Sequence, residues 1–98
     1  MTWMFDQAPN VACITNKKII AGEPVLVVTH YEDDHSWAFF DGAEFDPADA
    51  LVVAMSTVLE VHPELHELAP LLQPGWSARR VGIGHAWAAE RDHWGQNA

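Results

Sequence analysis

The chain of 98 residues and 10.9 kDa is long enough for one domain and too short for two of ordinary size, and its 49% of hydrophobic residues suffices for a core. Its 14 Asp and Glu against 5 Lys and Arg give a net charge of −9 at pH 7, which argues against direct binding of nucleic acid or of an anionic membrane. One cysteine excludes an internal disulfide and a multi-cysteine zinc site. No apolar stretch approaches the length of a membrane span, so we expect a cytoplasmic domain over residues 1–98 with loosely ordered ends at 1–10 and 91–98.

The first half of the chain predicts a β-hairpin. A short strand is expected over Val11 to Thr15, and the β-branched run from Val25 to His30 is the clearest strand in the sequence. A polar cluster separates it from a second strand, Trp37 to Phe40, which ends at an Asp-Gly dipeptide of the kind that favours turns. These two strands therefore form a hairpin with a wide acidic loop.

The second half predicts a pair of short helices followed by a strand. Residues 46–49 are expected to form a turn or a one-turn helix, with Asp46 as N-cap and Pro47 at the first helical position. For Ala50 to Met55 we favour a strand or extended segment over a helix. The remaining expected elements are a helix over 57–62 capped by Ser56 or Thr57, a second helix over 63–69 beginning at Pro63, a strand over 76–81, and a turn at Gly82 and Gly84. The order predicts an α+β domain, a small antiparallel sheet with one or two short helices packed on it.

The charges are segregated along the chain. Residues 19–78 contain no Lys or Arg, and the five basic residues lie outside them at Lys17, Lys18, Arg79, Arg80 and Arg91. Surface ion pairs contribute only about 0–1 kcal/mol, so this segregation does little for folding. It favours an acidic face that attracts and orients a basic partner, and the competing interpretation is a charge that only keeps the protein soluble.

The acidic residues are densest beside aromatic ones, a composition typical of binding surfaces. Core packing is the competing interpretation for the aromatic residues of the second hairpin strand; it is favoured for Phe39 and left open for Trp37. A calcium loop is not supported, because the D-x-D-x-D-G spacing is absent. The predicted partner-binding residues are Glu32, Asp33, Asp34, Trp37, Asp41, Glu44, Phe45 and Asp46, with Trp37 or Phe45 as the apolar anchor.

Motifs for chemistry are weak. His62 and His66 are four apart and could share a helix face for a metal, but Pro63 interrupts that helix and no H-E-x-x-H is present. Cys13 lies in an apolar stretch and is expected to be a small buried residue. We therefore predict no catalytic residue, no metal and no cofactor.

Several segments of the chain together form a recognisable pattern: 19–30, 32–42, His62-Pro63-Glu64-Leu65 with Leu68, Pro74-Gly75-Trp76 and Arg79-Arg80. This pattern resembles small bacterial domains related to immunity protein 33. The resemblance covers roughly residues 14 to 88, with Asp34-His35-Ser36 standing where that family usually has an Asp-Gly turn before the tryptophan. It implies an α+β domain that in some genomic settings neutralises a toxin from a neighbouring bacterium, and it implies no catalytic residue.

The leading hypothesis is a non-enzymatic immunity or inhibitor protein that binds a basic protein, such as a toxin. Two alternatives stay open: a nucleic-acid mimic that inhibits a DNA- or RNA-binding protein, and a small metal-dependent hydrolase using His62 and His66. Three tryptophans expected near the surface permit a homodimer without requiring one; these are Trp3, Trp87 and Trp94.

Overall fold

The computed structural model describes residues 3–43 and 46–91, which form one sheet with short helices packed on it, and the α+β prediction is confirmed. The strands are β1 (Ala12–Asn16), β2 (Val27–His30), β3 (Trp37–Phe40), β4 (Ala50–Ala54), β5 (Trp76–Arg79) and β6 (Ala88–Arg91). The helices are α1 (Lys17–Ile20) and α2 (Met55–Val61), with two 3₁₀ helices at Pro47–Asp49 and Pro63–Leu68.

The six strands lie in the order β4-β1-β3-β2-β5-β6. Strands β2 and β3 form the expected antiparallel hairpin, with His30 opposite Trp37 at the loop end and Val27 opposite Phe40 at the other. The sheet is mixed rather than purely antiparallel, because β1 and β3 pair in parallel. A parallel pair needs a long crossover, which the chain makes through α1 and β2.

The core lies between one face of the sheet and the helices. Alternate residues of the strands supply Cys13, Val28 and Phe39, and the helical region supplies side chains such as Val58 and Leu65. Burial raises the pKa of the Cys13 thiol to about 12, as expected of a buried cysteine without a nearby base.

Helix α2 begins without the side-chain cap that the sequence predicted. Its N-cap is Ala54, so the expectation of Ser56 or Thr57 as the cap is wrong. The N–H groups of Met55 and Ser56 instead donate to backbone carbonyls of Val11 and Pro9 at 2.8 and 2.9 Å. Because the N-terminal segment satisfies these donors, no capping hydroxyl is required.

Two short elements were not predicted. Helix α1 is a single turn capped by the Asn16 side chain, whose Oδ1 accepts from the Ile19 N–H at 3.0 Å. Strand β6 pairs antiparallel with β5, and only its last residue, Arg91, falls in the end expected to be loosely ordered. Within residues 3–43 and 46–91 no helix has the length and apolar character needed to cross a bilayer.

Candidate functional site

The loop from Tyr31 to Ser36, which joins β2 and β3, is the most acidic exposed segment of the hairpin. The Tyr31 N–H donates to the Ser36 carbonyl at 2.8 Å and closes the loop. Within it, Asp33 Oδ1 accepts from the Asp34 N–H at 2.9 Å, and Asp34 Oδ1 accepts from the Ser36 N–H at 3.0 Å. These local bonds hold the acidic loop in one shape. We call residues 31–36 the acidic loop.

The three carboxylates of the acidic loop face solvent. Glu32, Asp33 and Asp34 are exposed, and no Lys or Arg of the described residues forms an ion pair with them. Hydrogen bonds from the Ser36 hydroxyl and backbone N–H lower the pKa of Asp34 below its usual value. The loop therefore presents negative charge that the described part of the molecule does not neutralise.

Two residues of the N-terminal segment, Asp6 and Gln7, contact the acidic loop and the strand residues next to it. Gln7 Nε2 donates to the carbonyl oxygens of His35 and Asp34 at 3.0 and 3.3 Å. Asp6 Oδ1 accepts from Trp37 Nε1 at 2.9 Å, while Asp6 Oδ2 lies 3.0 Å from His30 Nε2 and 3.7 Å from His35 Nδ1. Asp6 and Gln7 thus fix the base of the acidic loop to the strands on either side of it.

His30 is a buried polar residue of this network. Its ring stacks on Trp37 with centroids 3.9 Å apart, and its Nδ1 lies 2.8 Å from the Leu72 carbonyl oxygen. Because a carbonyl only accepts, Nδ1 donates there. Its Nε2 lies 3.0 Å from the Asp6 carboxylate oxygen Oδ2. This arrangement ties the loop end of the hairpin to the N-terminal segment.

The structure separates the predicted partner-binding residues into two groups. Asp41 and Asp46 lie beyond the end of β3, while the acidic loop precedes its start, so β3 stands between them. Four strand residues span roughly 13 Å. Asp41 Oδ2 lies 3.9 Å from Lys18 Nζ, and Asp46 Oδ1 caps the 3₁₀ helix by accepting from the Ala48 N–H at 3.0 Å. Asp41 thus lies within ion-pair distance of a lysine, whereas no Lys or Arg of the described residues pairs with a carboxylate of the acidic loop.

The prediction that Trp37 serves as an apolar anchor for a partner is corrected by the structure. Trp37 is only 1% exposed and packs between His30 and Phe39, so it belongs to the core and does not offer a surface to a partner. Its strand position places it on the covered face of the sheet, as it does Phe39. Glu44 and Phe45 lie outside the described residues.

The histidines considered for a metal have other contacts. His62 is buried, with Nε2 2.9 Å from the Ile19 carbonyl oxygen and Nδ1 3.6 Å from Glu64. The His66 ring instead packs edge-on against Trp3. No group of three or more His, Cys, Asp and Glu in residues 3–43 and 46–91 has an arrangement suited to a metal ion.

Reasoning from the sequence missed Asp6 and Gln7, and it considered Trp3 only as a surface residue that would permit a homodimer. Asp6 and Gln7 lie at least 24 residues in sequence from the hairpin residues that they contact, and these contacts depend on how the N-terminal segment folds back. A polar Asp-Gln pair beside aromatic residues was the available signal, and it is too common to indicate a site. Comparison with protein-family models, with curated proteins and with solved structures finds no match to this chain.

Proposed function

We propose that this protein is a non-enzymatic binding protein of the immunity or inhibitor kind, which captures a basic protein through its acidic loop in the cytoplasm. The partner class includes a toxin of a neighbouring bacterium. The single observation that carries the proposal is the set of three consecutive carboxylates, Glu32 to Asp34, exposed on a loop that hydrogen bonds hold at both ends.

The loop's preformed shape supports binding rather than simple solubility. A flexible acidic segment loses conformational freedom when it binds, which costs about 0.5–1.5 kcal/mol for each ordered side chain. Here the Asp33 and Asp34 side chains already accept backbone hydrogen bonds, and Gln7 holds the loop carbonyls. Less of the interaction energy is therefore lost on binding.

Charge at this loop acts mainly on the rate of association. Carboxylates gathered at one end of the hairpin raise the encounter rate with a cationic surface and orient the collision, by about 10–1000-fold at low salt across known cases. The two far acidic residues, Asp41 and Asp46, add to the total charge but lie at the other end of the hairpin. The proposal thus predicts that the association rate depends on where the carboxylates lie as well as on the total charge.

The test compares two double variants with equal net charge. Glu32→Gln with Asp33→Asn removes two charges from the acidic loop, and Glu23→Gln with Asp46→Asn removes two elsewhere; Asn is as good an N-cap as Asp, so the 3₁₀ helix is kept. The partner is first identified by capture from the native cell. Association rates are then measured by stopped flow between about 20 and 300 mM salt.

We expect the loop variant to associate about tenfold more slowly at low salt, with the difference shrinking as salt rises, and the second variant to change little. Equal rates for the two variants would show that only total charge matters and would reject the loop as the binding site. Turnover of a substrate by the purified protein alone would reject the non-enzymatic assignment.

A further inference from the structure

A second surface feature lies between the N-terminal segment and the helical region that begins with α2. It is a groove of about 370 Å³, within the range of about 300–1000 Å³ typical of ligand sites. Its walls include the indole of Trp3, the rings of Pro9 and Pro63, and Leu59 of α2. The groove is therefore mostly apolar, and its polar lining residues are Ser56, Glu60 and His66.

The Trp3 indole is held in place at the edge of this groove. Its Nε1 donates to the Gln7 carbonyl at 2.7 Å, and its ring meets the His66 ring edge-on with centroids 5.2 Å apart. A fixed aromatic ring of this kind can stack on a flat cationic group at small entropic cost.

Among the residues that the structure describes, Glu60 is the one acidic residue lining the groove, and none of the described Lys or Arg residues lines it. Glu60 lies in the last turn of α2, where the helix macrodipole disfavours a negative charge and no basic residue of that turn offsets it. A bound cation would relieve this unfavourable charge. An apolar aromatic groove with a single carboxylate thus complements a cation on an apolar stem.

We propose that this groove binds an arginine side chain presented by the basic partner, an inference that rests on the proposed function and names a second contact of the same complex. The planar guanidinium stacks on Trp3 and donates hydrogen bonds to the Glu60 carboxylate, while the stem packs against the prolines. Arginine suits the site better than lysine because its flat group can stack and bond to a carboxylate together.

The groove and the acidic loop are linked through one residue. The Gln7 backbone carbonyl accepts a hydrogen bond from Trp3 Nε1, and the Gln7 side-chain amide donates a hydrogen bond to a carbonyl of the acidic loop. A basic partner contacting both would meet charge at the loop and an aromatic anchor at Trp3. This is the role that sequence analysis assigned to Trp37 or Phe45.

The test needs no partner. Capped arginine, N-acetyl-arginine-amide, is titrated into the full chain while NMR follows the indole N–H signals, with that of Trp3 assigned through Trp3→Phe. Capped citrulline serves as the uncharged isostere and capped norleucine as the apolar probe. Glu60→Gln tests the carboxylate, and Glu23→Gln is the matched control at a site outside the groove.

We expect capped arginine to shift the Trp3 signal saturably in the millimolar range, with citrulline and norleucine at least about threefold weaker. Glu60→Gln should weaken arginine binding by a similar factor, and Glu23→Gln should leave it unchanged. The inference is overturned by no saturable shift, by equal binding of an uncharged probe, or by indifference to Glu60→Gln.

Failure of this inference is distinguishable from failure of the proposed function. If capped arginine does not bind while the loop variant slows association with the partner, only the groove assignment is wrong. If capped arginine binds as expected while the loop variant associates normally, the acidic-loop function is wrong and the groove remains a cation site.

Discussion

Asp34 keeps its negative charge through hydrogen bonds from Ser36 rather than through an ion pair. These bonds lower its pKa from the usual value near 3.8, so stability that depends on its charge is fully present above that pH and is lost as the pH falls through the lower, folded-state pKa. We predict that Ser36→Ala raises the pKa of Asp34 toward 3.8. A carbon-detected NMR titration of the Asp34 carboxyl group measures this directly.

The control for this prediction is Ser56→Ala, a loss of the same hydroxyl on α2, away from the acidic loop. It should leave the Asp34 titration unchanged. An unchanged midpoint in Ser36→Ala would mean that the backbone N–H of Ser36 alone stabilises the charged carboxylate.

His35 is held in a backbone conformation that favours glycine. Its φ of 59° is the one positive value at a non-glycine residue in the described part of the chain. A left-handed conformation costs an ordinary residue about 1–2 kcal/mol. We predict that His35→Gly raises the free energy of unfolding by up to about 1 kcal/mol and that His35→Val lowers it, measured by urea denaturation.

The contacts of the His35 ring are lost in His35→Gly, and this loss opposes the predicted rise in the free energy of unfolding. The ring lies 3.7 Å from Asp6 and 6.0 Å, between centroids, from His30. Exposed pairs of this kind contribute only about 0–1 kcal/mol, which is less than the backbone cost. If His35→Gly destabilises the protein as much as His35→Val does, the ring contacts outweigh the backbone strain.

Among the elements, the N-terminal segment has the largest effect on the site. Phe5 is 7% exposed and meets Trp37 edge-on with centroids 4.8 Å apart, within a segment that the sequence suggested would be loosely ordered. We predict that Phe5→Ala lowers the free energy of unfolding by about 3 kcal/mol, the usual cost of truncating a buried phenylalanine. Chemical denaturation monitored by circular dichroism tests this.

Met4 provides the matched control, because it is adjacent in sequence and 49% exposed. Met4→Ala should change stability by less than about 0.5 kcal/mol. Equal, small effects of both variants would show that the segment detaches from the core at little cost. The acidic loop would then lose the support of Asp6 and Gln7 as well.

The sequence predicted those secondary-structure elements that the residues within the element itself determine. The β-branched run ending at His30 and the aromatic run from Trp37 gave strands β2 and β3, and Asp46 with Pro47 gave the 3₁₀ helix. Strand β6 has no β-branched residue and all four of its side chains are exposed, so only backbone pairing with β5 defines it. Helix α1 is too short for any periodicity to appear.

The candidate site was predictable in part for the same reason. Three consecutive acidic residues between two strands indicate an exposed loop without any knowledge of the fold. The choice between core and surface for Trp37 required the contacts of Phe5 and Asp6, which lie about thirty residues away in sequence. Alternation along a strand shows which residues share a face, but it does not show which face is covered.

Across the whole molecule, the acidic residues outnumber the basic residues that could neutralise them, 14 against 5. In residues 3–43 and 46–91 the ion pairs of Lys and Arg are Lys18 with Asp41 at 3.9 Å and Arg80 with Glu64 at 3.7 Å. Arg80 is buried and also lies 4.3 Å from the Trp87 ring centroid, so its charge does little for the exposed acidic residues. Repulsion among carboxylates therefore outweighs attraction at the surface.

This imbalance predicts that salt stabilises the fold. The Debye length falls from about 30 Å at 0.01 M to about 3 Å at 1 M, which screens the long-range repulsion of a chain with net charge −9 more than it weakens two close pairs. We expect Tm to rise by several degrees between about 10 and 500 mM NaCl, since about 1 kcal/mol corresponds to roughly 4–8 °C in a domain of this size.

Tetramethylammonium chloride should give a similar rise if screening, rather than sodium binding, is the cause. The variant with Glu23→Gln and Asp46→Asn removes two of these charges and should show a smaller rise, whereas a Tm that falls with salt would mean that attractive pairs dominate the electrostatic energy.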